Sequence, residues 1–236
     1  MGYLNVENKL IFIHLIKTGG TSIQSVLENY APNDLTYFGH TQTMPEKIAR
    51  RVMKNLPFRL QKNSIAKLRR LYNFRSGHMP IKSYLDVVDE KFIEIINIAQ
   101  YNTFTVVRDP WEVMGSLFFY QKRKFKGTTF PTFDEFVKHR CRDIRIEDQF
   151  EFLSDNSGRI CVNNILRFET LEDDWRIFST KINGLSRNLP YKNAKSGKKN
   201  FYKEFYSKRS MELVKSKYWR DIETLRHLVI RLMNDL

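Results

Sequence analysis

Cysteine is scarce in this chain of 236 residues, which contains only Cys141 and Cys161. The two form no CxxC pair, and no cysteine–histidine cluster has the spacing of a metal site. We therefore expect two reduced, partly buried thiols and no bound metal, although the count also allows one disulfide. A disulfide-rich scaffold and a structural zinc domain are excluded.

Long apolar runs are also missing. The longest one, residues 10–16, is broken by His14 and is much shorter than the roughly 20 residues that cross a bilayer. The N-terminus has no signal-peptide pattern. These features predict a soluble chain without a transmembrane segment, although a piece of an anchored protein would look the same.

Acidic residues are outnumbered, with 26 Asp and Glu against 40 Lys and Arg, which gives a net charge of +14. None lies between Glu46 and Asp86, a stretch rich in Lys and Arg. The excess charge predicts an acidic partner, such as a nucleotide, an acidic glycan, a nucleic acid or an anionic membrane face. Around residues 45–72 we expect a basic helical insertion, which either is a solvated face or contacts such a partner.

Strand and helix signals alternate along the chain. The apolar run at residues 10–13 and the β-branched run at residues 103–107 each lead into a turn and an amphipathic helix. The alternation predicts one α/β domain over residues 1–236, with a central parallel sheet flanked by helices in a three-layer, P-loop-NTPase-like fold. We expect a helical C-terminal part at residues 201–236.

The turn after the first strand is rich in groups that bind anions. A helix that begins there presents unpaired backbone N–H groups and partial positive charge. Glycines allow close approach, a lysine adds a full charge, and hydroxyls add donors. The order of residues differs from a Walker A motif, because the lysine precedes the glycines. The candidate ligands are Lys17, Thr18, Gly19, Gly20, Thr21 and Ser22.

A second candidate follows the strand at residues 103–107. Arg108 comes at its carboxyl end, the edge where open α/β sheets bind ligands, and a guanidinium can hold a phosphate bidentately. Ser116 lies two helical turns later. Asp109, Pro110 and Glu112 predict a capped helix start with a capping box. From spacing alone, a surface ion pair for Arg108 and an exposed Ser116 are equally compatible.

Two segments resemble one known family. The stretch at residues 14–22, H-L-I-K-T-G-G-T-S, is similar to the H-x-x-K-T-G-G-T-S segment of Golgi-type carbohydrate sulfotransferases, which include heparan sulfate 2-O- and 6-O-sulfotransferases and relatives acting on chondroitin. Residues 107–118 are similar to that family's V-R-D-P-x-E-R-x-x-S-x-Y segment, although Val113 and Phe118 depart from it. Weaker matches lie, in the family's order along the chain, at residues 77–78, 167–171, 189–193 and 221.

The resemblance implies a function. The first loop would hold the 5′-phosphosulfate of 3′-phosphoadenosine 5′-phosphosulfate (PAPS), Arg108 and Ser116 would hold its 3′-phosphate, and Asn193 and Lys198 would lie near this donor. The product would be 3′-phosphoadenosine 5′-phosphate (PAP). The acceptor would be a hydroxyl of a glycan or glycolipid, with acidic ones among the candidates. The location would be cytoplasmic for a complete chain and the Golgi lumen for a piece of an anchored protein.

Sulfuryl transfer needs a cation at the leaving oxygen and a base for the acceptor hydroxyl. Lys17 suits the first task. For the second we favour His78, which follows Gly77 after an expected strand, and we expect His14 to be structural. Other histidines and carboxylates remain open. They are His40, His139, His227, Glu46 and Asp86.

Two other classes of function compete. A P-loop-like phosphotransferase shares the expected fold but needs magnesium ligands, for which the sequence has no Walker-type Lys-Ser/Thr pair. A basic nucleic-acid-binding protein fits the charge, but no helix-turn-helix, zinc or RNA-recognition signature supports specific nucleic-acid binding. Peripheral contact with an anionic membrane surface also fits the charge, as does a sulfotransferase-like chain that has lost activity.

Overall fold

The computed structural model describes residues 2–5, 8–30, 36–38, 100–124, 130, 132–143, 148–190 and 201–234. These residues form an α/β structure in which helices flank one sheet. The strands are β1 Gly2–Asn5, β2 Leu10–Ile13, β3 Thr36–Phe38, β4 Asn102–Val107 and β5 Asn164–Arg167. The helices are α1 Gly20–Tyr30, α2 Pro110–Lys124, α3 Phe133–Arg142, α4 Gln149–Leu153, α5 Leu171–Ser179, α6 Lys208–Lys217 and α7 Trp219–Asn234.

The described strands lie in the order β3-β1-β2-β4-β5. Strands β2, β4 and β5 run parallel, as predicted, and their register places Ile13 opposite Thr105 and Val107 opposite Arg167. Strands β1 and β3 pair antiparallel with their neighbours, so the predicted parallel sheet is correct for one part only. The carboxyl ends of β2 and β4 therefore meet at one edge.

Side chains alternate between the two faces of the sheet along each strand. Both faces are apolar here, and helices pack against each of them. Phe12 and Phe104 stack at 4.8 Å between ring centroids on one face, where α1 and α5 pack around the buried Trp175. Ile11 and Ile13 point to the other face, beside residues of α4 and α7. The arrangement is compatible with the expected three layers.

A separate apolar cluster joins α2, α3 and α6 at the side of the sheet. Phe118 and Phe136 form its centre, and Val214 of α6 is fully buried against them. Helix α3 begins with a capping box between Thr132 and Glu135. A short 3₁₀ helix at Phe201–Phe205 precedes α6 and α7.

The expected basic insertion at residues 45–72 lies outside the described residues. Both cysteines are free thiols and partly buried, so no disulfide joins them. Over the described ranges, none of the helices has the length and apolar character needed to cross a membrane.

Candidate anion-binding site

The two predicted anion-binding segments lie side by side. Because β2 and β4 are parallel neighbours, the loop after Ile13 and the residues after Val107 leave the sheet at the same edge. The contact is direct, since the guanidinium Nη1 of Arg108 donates a hydrogen bond to the main-chain carbonyl of Lys17 at 3.0 Å. Side chains from both segments therefore face one space at the N-terminus of α1.

The loop before α1 has a backbone held in an unusual conformation. Lys17 has φ 63° and Gly19 has φ 80°, both in the left-handed region that costs a non-glycine residue about 1–2 kcal/mol. The Thr18 hydroxyl points inward and donates to the Leu15 carbonyl at 2.9 Å. The predicted role of that hydroxyl as an anion donor is therefore not supported in this arrangement.

Side chains of the protein leave little room for a Cβ at either glycine of the loop. A Cβ on Gly19 would lie 3.2 Å from the side chains of Phe168 and Leu171. A Cβ on Gly20 would lie 2.0 Å from Nε2 of His14, whose ring stacks on Phe12 with 5.6 Å between ring centroids. His14 thus packs beneath the loop, which agrees with its expected structural role.

Replacement of Gly20 by alanine is expected to lower the free energy of unfolding by roughly 1–3 kcal/mol, because the new methyl collides with the His14 ring. In a His14→Ala background the same change is expected to cost much less, because the collision is gone. Urea denaturation of the four proteins measures this coupling. An equal cost of Gly20→Ala in both backgrounds would contradict the packing described.

Arg108 is buried, with 9% of its surface exposed, and lies at the centre of the site. Its guanidinium stacks on the Phe168 ring at 4.0 Å from the centroid, and Nη2 pairs with the Glu112 carboxylate at 3.2 Å. Its Nε has no hydrogen-bond partner among the described residues. A buried donor without a partner costs free energy, which makes Arg108 a candidate for a functional role.

Helix α2 presents one stripe of side chains to both cations. Glu112, Ser116 and Tyr120 follow each other at intervals of four residues, which places them on one face of the helix. Glu112 contacts Arg108 at one end, and at the other end the Tyr120 ring lies 4.6 Å from Nζ of Lys17. Ser116, which is partly buried, therefore lies between the two cations.

The site is electropositive, as the lowered pKa of Lys17 indicates. Burial lowers the pKa of the Lys17 ammonium below its usual 10.5, and the nearby charges of Arg108 and Arg123 lower the pKa further. Burial in turn raises the pKa of Glu112, against the opposing effect of Arg108. Both shifts favour the neutral form of each group, and an anion beside Lys17 would offset its repulsion by Arg108 and Arg123.

The predicted capping box of α2 is wrong in one of its two hydrogen bonds. Asp109 caps the helix as expected, because its carboxylate accepts from the Trp111 amide at 2.8 Å. The Asp109 amide, however, donates to Glu169 at 2.9 Å, so Glu112 does not fold back on it. The Glu112 carboxylate pairs with Arg108 instead.

The other predicted residues are placed as follows. Thr21 is exposed in the first turn of α1, and Ser22 is buried there, with its amide donating to the Gly19 carbonyl at 3.0 Å. Of the remaining predicted residues, the alternative bases His139 and His227 lie in α3 and α7. The others lie outside the described residues, so their roles stay predictions. They are His78, Asn193 and Lys198 together with the alternative bases His40, Glu46 and Asp86.

Sequence reasoning missed three neighbours of Arg108, which are Glu112, Phe168 and Gln149. Phe168 belongs to a short segment, residues 167–171, whose resemblance to the sulfotransferase family is weak by itself, although three of its members reach the site. Gln149 hydrogen-bonds to both backbone groups of Arg108. A glutamine 41 residues away gives no signal in the sequence.

The described residues contain no group of three or more His, Cys, Asp and Glu side chains arranged to hold a metal ion. No family model matches the chain, and no curated protein matches it.

Proposed function

We propose that this chain is a PAPS-dependent sulfotransferase of P-loop-like fold, which transfers the sulfuryl group to a hydroxyl of a carbohydrate or glycoconjugate. The observation that carries the proposal is the hydrogen bond from Arg108 to the Lys17 carbonyl, which joins two cationic segments into one site. PAP and PAPS carry phosphate groups at two ends of one adenosine. Two adjacent anion-binding segments suit such a ligand.

Each segment has groups for one end of the nucleotide. By helix geometry, the amides of Gly20 and Thr21 have no acceptor within α1, and they add to the charge of Lys17 at the 5′-phosphosulfate. The Arg108 guanidinium pairs with Glu112 through Nη2, and Ser116 lies one turn along α2 from Glu112. A bound phosphate would compete with Glu112 for Arg108.

The transfer is an in-line displacement at sulfur. A bond forms between sulfur and the acceptor oxygen, and the bond between sulfur and the bridging oxygen breaks, so that the electron pair stays on the 5′-phosphate of PAP. Lys17 would stabilise this developing charge. The acceptor proton goes to a general base, for which His78 remains our prediction. We expect His78→Ala to keep nucleotide affinity and to lose turnover.

Transfer of radiolabelled sulfate from PAPS tests the proposal. We expect label in at least one member of a panel of glycans, glycolipids and small alcohols, in the presence of a metal chelator. Phosphate transfer from ATP that requires magnesium would instead support a phosphotransferase. Salt-sensitive binding of nucleic acid without PAP binding would support a nucleic-acid-binding protein. Either result without sulfate transfer would overturn the proposal.

The affinity for PAP is expected to fall at alkaline pH. The protonated Lys17 ammonium attracts the 5′-phosphate, and the lowered pKa of Lys17 brings its loss of charge to a lower pH than for an ordinary lysine. Well above that pKa, affinity should fall up to about tenfold per pH unit. Calorimetric titrations between about pH 7.5 and 10 measure the effect, because the phosphates are already ionised there.

Lys17→Arg serves as the control for this pH dependence, because arginine stays charged over the whole range. We expect the arginine variant to lose little affinity between the two ends of the range. An identical alkaline decline in the variant and in the unchanged chain would show that another group titrates.

A further inference from the structure

Gln149 holds the backbone of Arg108 through two hydrogen bonds. The Arg108 amide donates to Oε1 of Gln149 at 2.9 Å, and Nε2 of Gln149 donates to the Arg108 carbonyl at 2.7 Å. These two hydrogen bonds fix the orientation of the Gln149 carboxamide, because its oxygen must face the Arg108 amide and its nitrogen must face the Arg108 carbonyl. The glutamine thus contacts Arg108 as a neighbouring strand would, just beyond the end of β4.

Gln149 is itself held by the C-terminal helix. The carboxylate of Asp221, which is buried near the start of α7, accepts hydrogen bonds from the main-chain N–H groups of Gln149 at 3.0 Å and of Phe150 at 2.8 Å. Its Oδ2 also lies 3.4 Å from Nε2 of Gln149. Asp221 therefore fixes both the first turn of α4 and the side chain that reaches Arg108.

A second set of contacts keeps α4 against α7. The buried Asp148 accepts from the Glu151 amide at 2.8 Å and caps α4. Nη2 of Arg220 bridges Asp148 and Glu151 at 3.2 and 2.6 Å. The helix that carries Gln149 is thus joined to the C-terminal helix by ion pairs and by hydrogen bonds.

We propose that Gln149 and Asp221 are positioning residues of the anion-binding site, which act by fixing the backbone of Arg108. This inference rests on the proposed function for its ligand and goes beyond it by assigning roles to residues that contact no nucleotide. Gln149 holds the backbone from which the Arg108 side chain extends, and the guanidinium at the end of that side chain donates to the Lys17 carbonyl at 3.0 Å. A shift of the Arg108 backbone would move the guanidinium away from the phosphate.

A double-mutant cycle on PAP affinity tests the inference. Gln149→Met keeps the side-chain length and removes both hydrogen bonds, so we expect the Kd for PAP to rise about tenfold. In an Arg108→Ala background the same change is expected to raise the Kd less than about twofold, because the group that it positions is gone. In a Lys17→Ala background Gln149→Met should still raise the Kd for PAP about tenfold, because Arg108 is still present.

Two further variants complete the design. Asp221→Asn is expected to raise the Kd several-fold through the same route, because an amide nitrogen would face the donors of Gln149. Gln100→Ala is the matched control, since Gln100 also accepts a side-chain hydrogen bond, from Lys9, but lies before the opposite end of β4. The control should leave the Kd unchanged. Equal costs of Gln149→Met with and without Arg108 would overturn the inference.

A spectroscopic readout separates this inference from the proposed function. In a chain labelled with 15N-arginine, the Nε–H signal of Arg108, assigned by its loss in Arg108→Lys, should shift in Gln149→Met without any nucleotide. An unshifted signal would overturn the positioning role whatever the PAP affinity. A shifted signal in a chain that does not bind PAP would overturn the proposed function and leave the positioning role of Gln149 in place.

Discussion

Lys17→Ala is expected to lower the rate of sulfuryl transfer from PAPS about 100- to 1,000-fold, as loss of one preorganised donor to a developing oxyanion does. Lys17 precedes the N-terminus of α1 by three residues, and the partial positive charge of that helix end adds to its own charge. Single-turnover transfer of radiolabelled sulfate measures the change. Transfer by the variant at the original rate would remove Lys17 from the mechanism.

The chain offers a matched control for this substitution. Lys9 is also a lysine with positive φ, 48°, and lies at the opposite end of β2. Lys9→Ala is expected to transfer sulfate at the original rate. A similar loss of rate in both variants would indicate a general effect of removing a lysine from this strand.

Lys17 is also expected to contribute little to folding stability. Its backbone is strained and its ammonium is desolvated, so neither feature favours the folded state. Lys17→Gly relieves the strain, and we expect a free energy of unfolding at least equal to that of the unchanged chain. An inactive protein of undiminished stability would assign Lys17 to function.

Arg108→Ala is expected to weaken PAP binding by at least about 30-fold, because truncating one partner of a buried charge pair costs roughly 2–5 kcal/mol. Arg108→Lys keeps the charge but loses the planar fork, so we expect only partial recovery. Calorimetric titration with PAP measures both variants. An unchanged affinity in Arg108→Ala would refute the assignment of the 3′-phosphate ligand.

Arg167 provides the control for this second substitution. It lies at the end of β5, the strand beside β4, but its Nη2 pairs with Asp174 at 2.9 Å. Because Arg108 contacts the Lys17 loop and Arg167 pairs with Asp174 instead, Arg167→Ala should lower stability and leave PAP affinity unchanged. A loss of affinity in Arg167→Ala as large as in Arg108→Ala would indicate a general effect of disturbing this edge.

Local signals in the sequence were sufficient for the elements that carry the site. An apolar run predicted β2 at residues 10–13, and a proline after an aspartate predicted the start of α2 at residue 110. Both depend on neighbours in the chain, which is why pattern and propensity find them. Strand β1, only four residues long, was missed because it is defined by antiparallel pairing with β2 and β3.

The contacts of the site were harder to predict, because they depend on which residue competes for each partner. Glu112 has the spacing of a capping residue, yet Glu169 from another segment takes the Asp109 amide and leaves Glu112 to Arg108. Gln149 lies 41 positions beyond Arg108 and contacts it directly, whereas Asp221 lies 113 positions beyond Arg108 and contacts Gln149. Helix and strand signals depend on neighbours in the chain, so they carry no information on contacts between residues so far apart in the sequence.

One calorimetric comparison tests most directly whether a single nucleotide spans the two segments. PAP and adenosine 5′-phosphate, which lacks the 3′-phosphate, are titrated into the unchanged chain, Arg108→Ala and Lys17→Ala. We expect the unchanged chain to prefer PAP, Arg108→Ala to bind both nucleotides equally weakly, and Lys17→Ala to retain a preference for PAP. A preference for PAP that survives in Arg108→Ala, or no binding of PAP by the unchanged chain, would contradict the account.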